Sequence, residues 1–147
     1  MTQQEKQLLL KDLCGRLPYL ENWVRYDGKD YIVTGHGNGR VSLLPSMFSS
    51  AVGPCPWIEE VKPYLRPMSS ISKDEIDELN KTFGNIGYFF TQEEPYYYGL
   101  QVQHDSIGSI IISDMPAVFD WLNAHHFDYR CLIEKGLALE APEDMYK

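Results

Sequence analysis

Cysteine is scarce in this chain. Its three cysteines, Cys14, Cys55 and Cys131, are far apart and odd in number, which excludes a disulfide framework. Long apolar runs are missing too. No aliphatic run exceeds three residues, as at Ile110-Ile111-Ile112, far short of a bilayer span. Basic residues are few: 13 Lys and Arg face 21 Asp and Glu, for a net charge of −8. Nucleic-acid affinity comes largely from Lys and Arg neutralising phosphates, so this balance argues against a nucleic-acid partner and against anionic membranes. No basic stretch followed by an apolar run opens the sequence. Together these absences predict a cytoplasmic protein with reduced thiols and no membrane.

What is present fits one globular unit. The 147 residues match the usual size of a single domain, enough to bury a core without staples. Apolar residues make up 44% and charged residues 23%, which is ordinary globular usage. Ten tyrosines bring apolar bodies with polar tips, suited to strand faces or to a partner surface. The charge is uneven. Residues 1–73 carry nine Lys/Arg against seven Asp/Glu, whereas residues 74–147 carry four against 14. The acidic half reads as a solvated face, a surface for a basic partner, or a mimic of nucleic acid.

Local signals place the elements. Thr2-Gln3-Gln4-Glu5 is a capping box, followed at helical spacing by Leu9, Leu10, Leu13 and Cys14. Gly15 is expected to take the left-handed cap, with Pro18 preventing continuation. Three strands follow, at 23–26, 31–34 and 40–44. Asp27-Gly28 turns the first hairpin, and Gly35-His36-Gly37-Asn38-Gly39 forms the tip of the second. Residues 45–56 read as a loop. Residues 57–68 read as extended, since Pro63 and Pro67 bar a helix and favour a sheet edge. Ser72-Lys73-Asp74-Glu75 is a second capping box, opening a helix on Ile76, Leu79 and Phe83 that ends at Gly84. Strands are expected at 86–90, 96–103 and 107–113. A third helix, capped by Asp114 with Pro116 in its first turn, carries Val118, Trp121, Leu122 and His125 on one face. Asp128 is expected to cap a short fourth helix through Lys135, stopped by Gly136, and the tail, 137–147, to be partly packed and then frayed. The order is α-βββ-α-βββ-α-α: an α+β domain over 1–147, mainly antiparallel, with helices on one face. The repeated α-βββ suggests two similar halves, 1–68 and 72–147.

None of the residue clusters commits the chain to a chemistry. The glycines around His36 precede a strand, whereas a phosphate loop opens a helix and carries Lys then Ser or Thr. His125 and His126 point about 100° apart on a helix, so they and Asp128 and Cys131 read as a helix corner rather than a metal site. His104-Asp105-Ser106 has the residue types of a hydrolase triad, but a triad is assembled by the fold rather than from one turn. Glu59-Glu60, Glu93-Glu94 and the carboxylates of 74–78 read as solvated, and Cys55 as an inert loop thiol. No cofactor or metal is expected.

Two stretches carry a resemblance: Lys62-Pro63-Tyr64-Leu65-Arg66-Pro67-Met68-Ser69-Ser70, and Asp120-Trp121-Leu122-Asn123-Ala124-His125-His126-Phe127-Asp128-Tyr129-Arg130 continuing from Leu132 through Pro142. Here the chain resembles a family of small proteins of gut bacteria and their mobile elements that has no assigned activity. The resemblance covers roughly a third of the chain and is poorest between Gly84 and Ser113. It implies Gly in relatives where Cys131 stands, and it supplies no catalytic residue. Tyr64, Arg66, Trp121, His125, Tyr129 and Arg130, within these stretches, are types enriched at binding hot spots, and equally types that lock a helix corner onto a strand. The leading expectation is a non-enzymatic module that binds another protein, an accessory of a mobile element or phage. The alternatives are a small-molecule enzyme using His36, His104, His125 and Asp105, and an acidic nucleic-acid mimic.

Overall fold

A computed structural model describes residues 1–19, 21–45, 52–83, 88–89, 101–102 and 115–146. Helix α1 spans Gln3–Arg16 and opens as its sequence requires. The Thr2 hydroxyl accepts from the Glu5 amide, and the Glu5 carboxylate accepts from the Thr2 amide. Gly15 is not the cap. It lies inside the helix, which closes at Leu17 in right-handed conformation. A side chain at Gly15 would meet Asn123 Nδ2 at 3.0 Å, so this glycine admits a neighbouring helix end rather than a turn.

Strands β1 (Trp23–Tyr26), β2 (Lys29–Gly37) and β3 (Arg40–Leu44) form an antiparallel meander. Asp27-Gly28 and Asn38-Gly39 each take positive φ at both residues, the geometry that matches strand twist in a two-residue turn. β2 is longer than its composition suggested. Gly35, His36 and Gly37 pair with Ser42, Val41 and Arg40 rather than forming the tip. Ile32 and Val33 are both buried, and the register shifts just beyond them, between Val33 and Gly35.

The stretch 57–68 divides where extended backbone was expected. A 3-10 turn at Ile58–Glu60 precedes β4 (Lys62–Leu65), and a second at Met68–Ser70 follows it. Nor is β4 an edge strand. The sheet order is β3-β2-β1-β4 and then a last strand, Leu139–Glu140, which pairs parallel with β4 at Tyr64 and Leu65. That ladder begins one residue beyond Pro63, so the missing proline amide does not interrupt it. On the outer side of β3, the amides of Val41 and Leu43 donate to the Pro56 and Pro54 carbonyls, so residues 54–56 cover that edge.

Helix α2 (Lys73–Phe83) carries the second capping box as expected, with reciprocal bonds between Ser72 and Glu75. Two short strands, β5 (Tyr88–Phe89) and β6 (Gln101–Val102), pair antiparallel. The rest of the expected second strand set, Gly84 and Asp114 lie outside the described residues. So does any test of two similar halves. Helix α3 (Met115–Ala124) follows, and β7 is the Leu139–Glu140 strand.

The expected fourth helix is instead a series of turns. Asp128 does cap it, accepting from the Leu132 and Ile133 amides. Cys131, however, sits at φ 57, in the left-handed region through which an α-helix cannot propagate. The tail is packed, as expected of its first part, and the packing extends to Tyr146. β7 joins the sheet, and the Tyr146 hydroxyl donates to the Tyr64 carbonyl at 2.9 Å.

The fold is thus α+β on a mostly antiparallel five-stranded sheet. One core cluster joins Leu9 and Leu13 of α1 to Val24, Val41, Leu43 and Leu65 of the sheet and to Leu132. A second gathers Met68, Leu79, Val118, Trp121, Leu122 and Phe127. Burial at this scale stabilises each large side chain by about 1.5–3 kcal/mol. Among the described residues no helix is long and apolar enough to cross a membrane.

Candidate functional site

A polar concavity is built where the end of β4 meets α2, the corner after α3, and the tail. Arg66 stands at its centre. Its Nη1 and Nη2 donate to Glu75 Oε1 and Oε2 at 2.6 and 3.0 Å, a bidentate fork of the strong kind. The guanidinium also lies 4.2 Å over the Phe127 ring. Backbone pairing holds it there, because the Arg66 amide donates to the His126 carbonyl and its own carbonyl accepts from Asp128. Burial pushes the Glu75 carboxyl up, but Arg66 and the bonds from Ser72 together hold it below its usual value.

Two cavities share Arg66, Glu75 and Tyr146 as walls. One, of about 750 Å³, adds Glu140, Pro142 and Glu143. The other, of about 530 Å³, adds Tyr19, Glu21, His125 and His126. The lining thus carries Glu21, Glu75, Glu140 and Glu143 against the single guanidinium of Arg66, already engaged by Glu75. Such walls favour a cationic or hydrogen-bond-donating occupant. His125 Nδ1 lies 2.9 Å from the Trp121 carbonyl. A carbonyl only accepts, so Nδ1 carries a proton there. The His125 ring stacks on Trp121 at 3.8 Å and the His126 ring on Tyr146 at 3.9 Å.

Of the six residues singled out from sequence, Arg66 and His125 come together in this cleft. The others do not line it. Trp121 backs His125, with Nε1 donating to Glu78 Oε1 at 3.2 Å. Tyr64 is buried and donates to Asp30 Oδ1 at 3.0 Å. Tyr129 donates to Asn123 Oδ1, and Arg130 Nη2 donates to the Tyr129 hydroxyl. Glu140, Glu143 and Tyr146 were missed, because nothing in the tail's sequence says where its packed part docks. The acidic tally of residues 74–147 was the only signal pointing to them.

The remaining expectations divide. His104 and Asp105 lie outside the described residues. His36 faces Cys14 of α1, whereas His125 lies at the end of α3, so these two histidines do not share a site. His125 turns to Trp121 and Asp128 to the Leu132 and Ile133 amides. Among the described residues no three His, Cys, Asp or Glu gather at metal-ligating distance.

Every resolved pKa displacement carries its group away from neutrality. Hydrogen bonds from Arg25 and Lys6 lower Asp30 and Glu59 respectively. Burial raises the thiols of Cys14 and Cys131 and the phenols of Tyr19, Tyr64 and Tyr146. General acids and bases need the opposite displacement.

Sequence reading also missed an exposed aromatic. Trp57 stays 45% exposed, with the Arg40 guanidinium 4.2 Å from its ring centroid. No protein-family model, curated protein or solved structure matches the chain significantly.

Proposed function

We propose that the protein is a non-enzymatic interaction module whose Arg66–Glu75 cleft receives a basic segment of a protein partner. The observation that carries this reading is the cleft's charge: three further carboxylates, Glu21, Glu140 and Glu143, around an Arg66–Glu75 pair that balances itself. An incoming Lys or Arg would find acceptors there, and the proline and tyrosine walls would cover its aliphatic stem. A role as accessory to a mobile element, which the resemblance implies, is compatible with a module of this kind.

The test is affinity capture from host lysate with the wild-type chain and with the Glu140→Lys/Glu143→Lys variant. A stoichiometric partner held by wild type, weakened by added salt and lost by the variant, is the expected result. Recovery of no stoichiometric partner, or of one indifferent to the charge reversal, overturns the reading.

A further inference from the structure

Away from the cleft, α1 and β2 bring together two metal-ligating side chains. Cys14 Sγ lies 3.2 Å from His36 Nε2. The two residues are 22 positions apart in sequence and sit on different elements, each fixed by its own hydrogen-bonding pattern. Cys14 is partly buried, while His36 is exposed.

Two chemistries use a thiol against an imidazole. In a nucleophile–base dyad the thiol must be held largely as thiolate. Among the described residues no carboxylate or further base is seen orienting the His36 ring, as a dyad's third group would. In a metal site the cation itself displaces the thiol proton, and the geometry is what matters. With zinc–sulfur near ~2.3 Å and zinc–nitrogen near ~2.0 Å at a tetrahedral angle, the two donors stand about 3.5 Å apart. The observed spacing is within a few tenths of an ångström of that, reachable by small side-chain rotations.

We propose that Cys14 and His36 form a two-ligand site for a borderline or soft d-block cation such as Zn²⁺. Binding replaces the S–H bond with an S–metal bond and releases one proton to solvent; no electron is transferred. His36 is exposed, so water would fill the remaining coordination positions. The proposal is independent of the cleft and of what the cleft binds.

Co²⁺ is the probe, because a thiolate ligand gives it a near-ultraviolet charge-transfer band that water and imidazole do not. Titrated into the reduced full chain, Co²⁺ is expected to raise this band to saturation at one ion per chain and to lose it when Zn²⁺ is added. Cys14→Ser is expected to abolish the band and His36→Ala to weaken Co²⁺ binding at least tenfold. Cys55→Ser and Cys131→Ser are expected to leave it intact. Circular dichroism checks that each variant is folded. A wild-type chain without the band, a band that survives Cys14→Ser, or binding unchanged by His36→Ala overturns the proposal.

Discussion

Asp12 and Arg16, one helical turn apart on α1, form a fully buried bidentate ion pair. Arg16 Nε and Nη2 donate to Asp12 Oδ2 and Oδ1 at 2.8 and 2.9 Å, and Nη2 also donates to the Phe127 carbonyl at 2.9 Å. Arg130 Nε stands 3.4 Å from Asp12 Oδ1, too far for a strong hydrogen bond but close enough to add positive charge. The guanidinium thereby ties α1 to the chain just after α3, where a cation also suits the helix dipole. Asp12→Ala leaves a buried, unpaired guanidinium and is expected to cost about 3–5 kcal/mol. The Asp12→Leu/Arg16→Met double variant removes both members of the pair together and is expected to lose less than the single one. Urea unfolding followed by circular dichroism measures both; a single variant within ~1 kcal/mol of wild type would refute the assignment.

The Arg66–Glu75 pair makes stability depend on acid. Glu75 titrates lower in the folded chain than when unfolded, so its stabilising contribution is complete above the ordinary Glu range near ~4.3 and is lost as pH falls through the folded value. Glu75→Gln is expected to flatten that part of the stability profile while costing stability at neutral pH. Unfolding midpoints measured from pH 7 down to pH 3 decide it; parallel profiles for the two proteins would contradict the pairing.

Tyr146 makes stability depend on alkali in the opposite sense. Burial pushes its phenol above the usual value. A raised folded value means the contribution is complete below the unfolded phenol near ~10 and is lost as pH rises further. Ultraviolet titration is expected to show one tyrosine ionising only as the chain unfolds. In Tyr146→Phe that late phase should disappear, and stability at neutral pH should fall by about 1 kcal/mol through the lost bond to the Tyr64 carbonyl. Ionisation of all tyrosines before unfolding would argue against the buried placement.

Cys131 and Gly136 both occupy left-handed backbone, at φ 57 and φ 68. Only the second has the residue that does so without strain. Cys131→Gly is expected to raise stability by up to ~1 kcal/mol, and Gly136→Ala to lower it by about ~1 kcal/mol. Thermal melts of the two variants should therefore move in opposite directions; a shift of both to lower temperature would rule out backbone strain at Cys131.

The parts of the fold legible in sequence are those decided within a few residues. The Thr2–Glu5 and Ser72–Glu75 capping boxes and the Asp27-Gly28 and Asn38-Gly39 turns all formed as their residue types require. What stayed hidden depends on distant chain. Asp12 and Arg16 look like a solvated helix pair until Phe127 comes down on them. Gly15 looks like a terminator because nothing local announces Asn123 beside it. The β4–β7 pairing joins Leu65 to Glu140, and a two-residue strand carries no periodicity to betray it. The cleft shared this fate. Arg66 and His125 drew notice as residue types, but the glutamates that set its charge arrive on the tail.

The hydrogen bond from Arg16 to Phe127 spans 111 residues, and this sets a timetable for synthesis. While the chain is being made, the N-terminal helix and meander can pair locally, but the guanidinium has no carbonyl to meet until residue 127 has left the ribosome. The last strand of the sheet comes later still. Contacts of such long range are costly to close and slow to form, so the sheet cannot complete itself until the tail strand has emerged. Until then the nascent chain presents the open flank of β4 to its surroundings, a stage at which chaperones would be expected to bind.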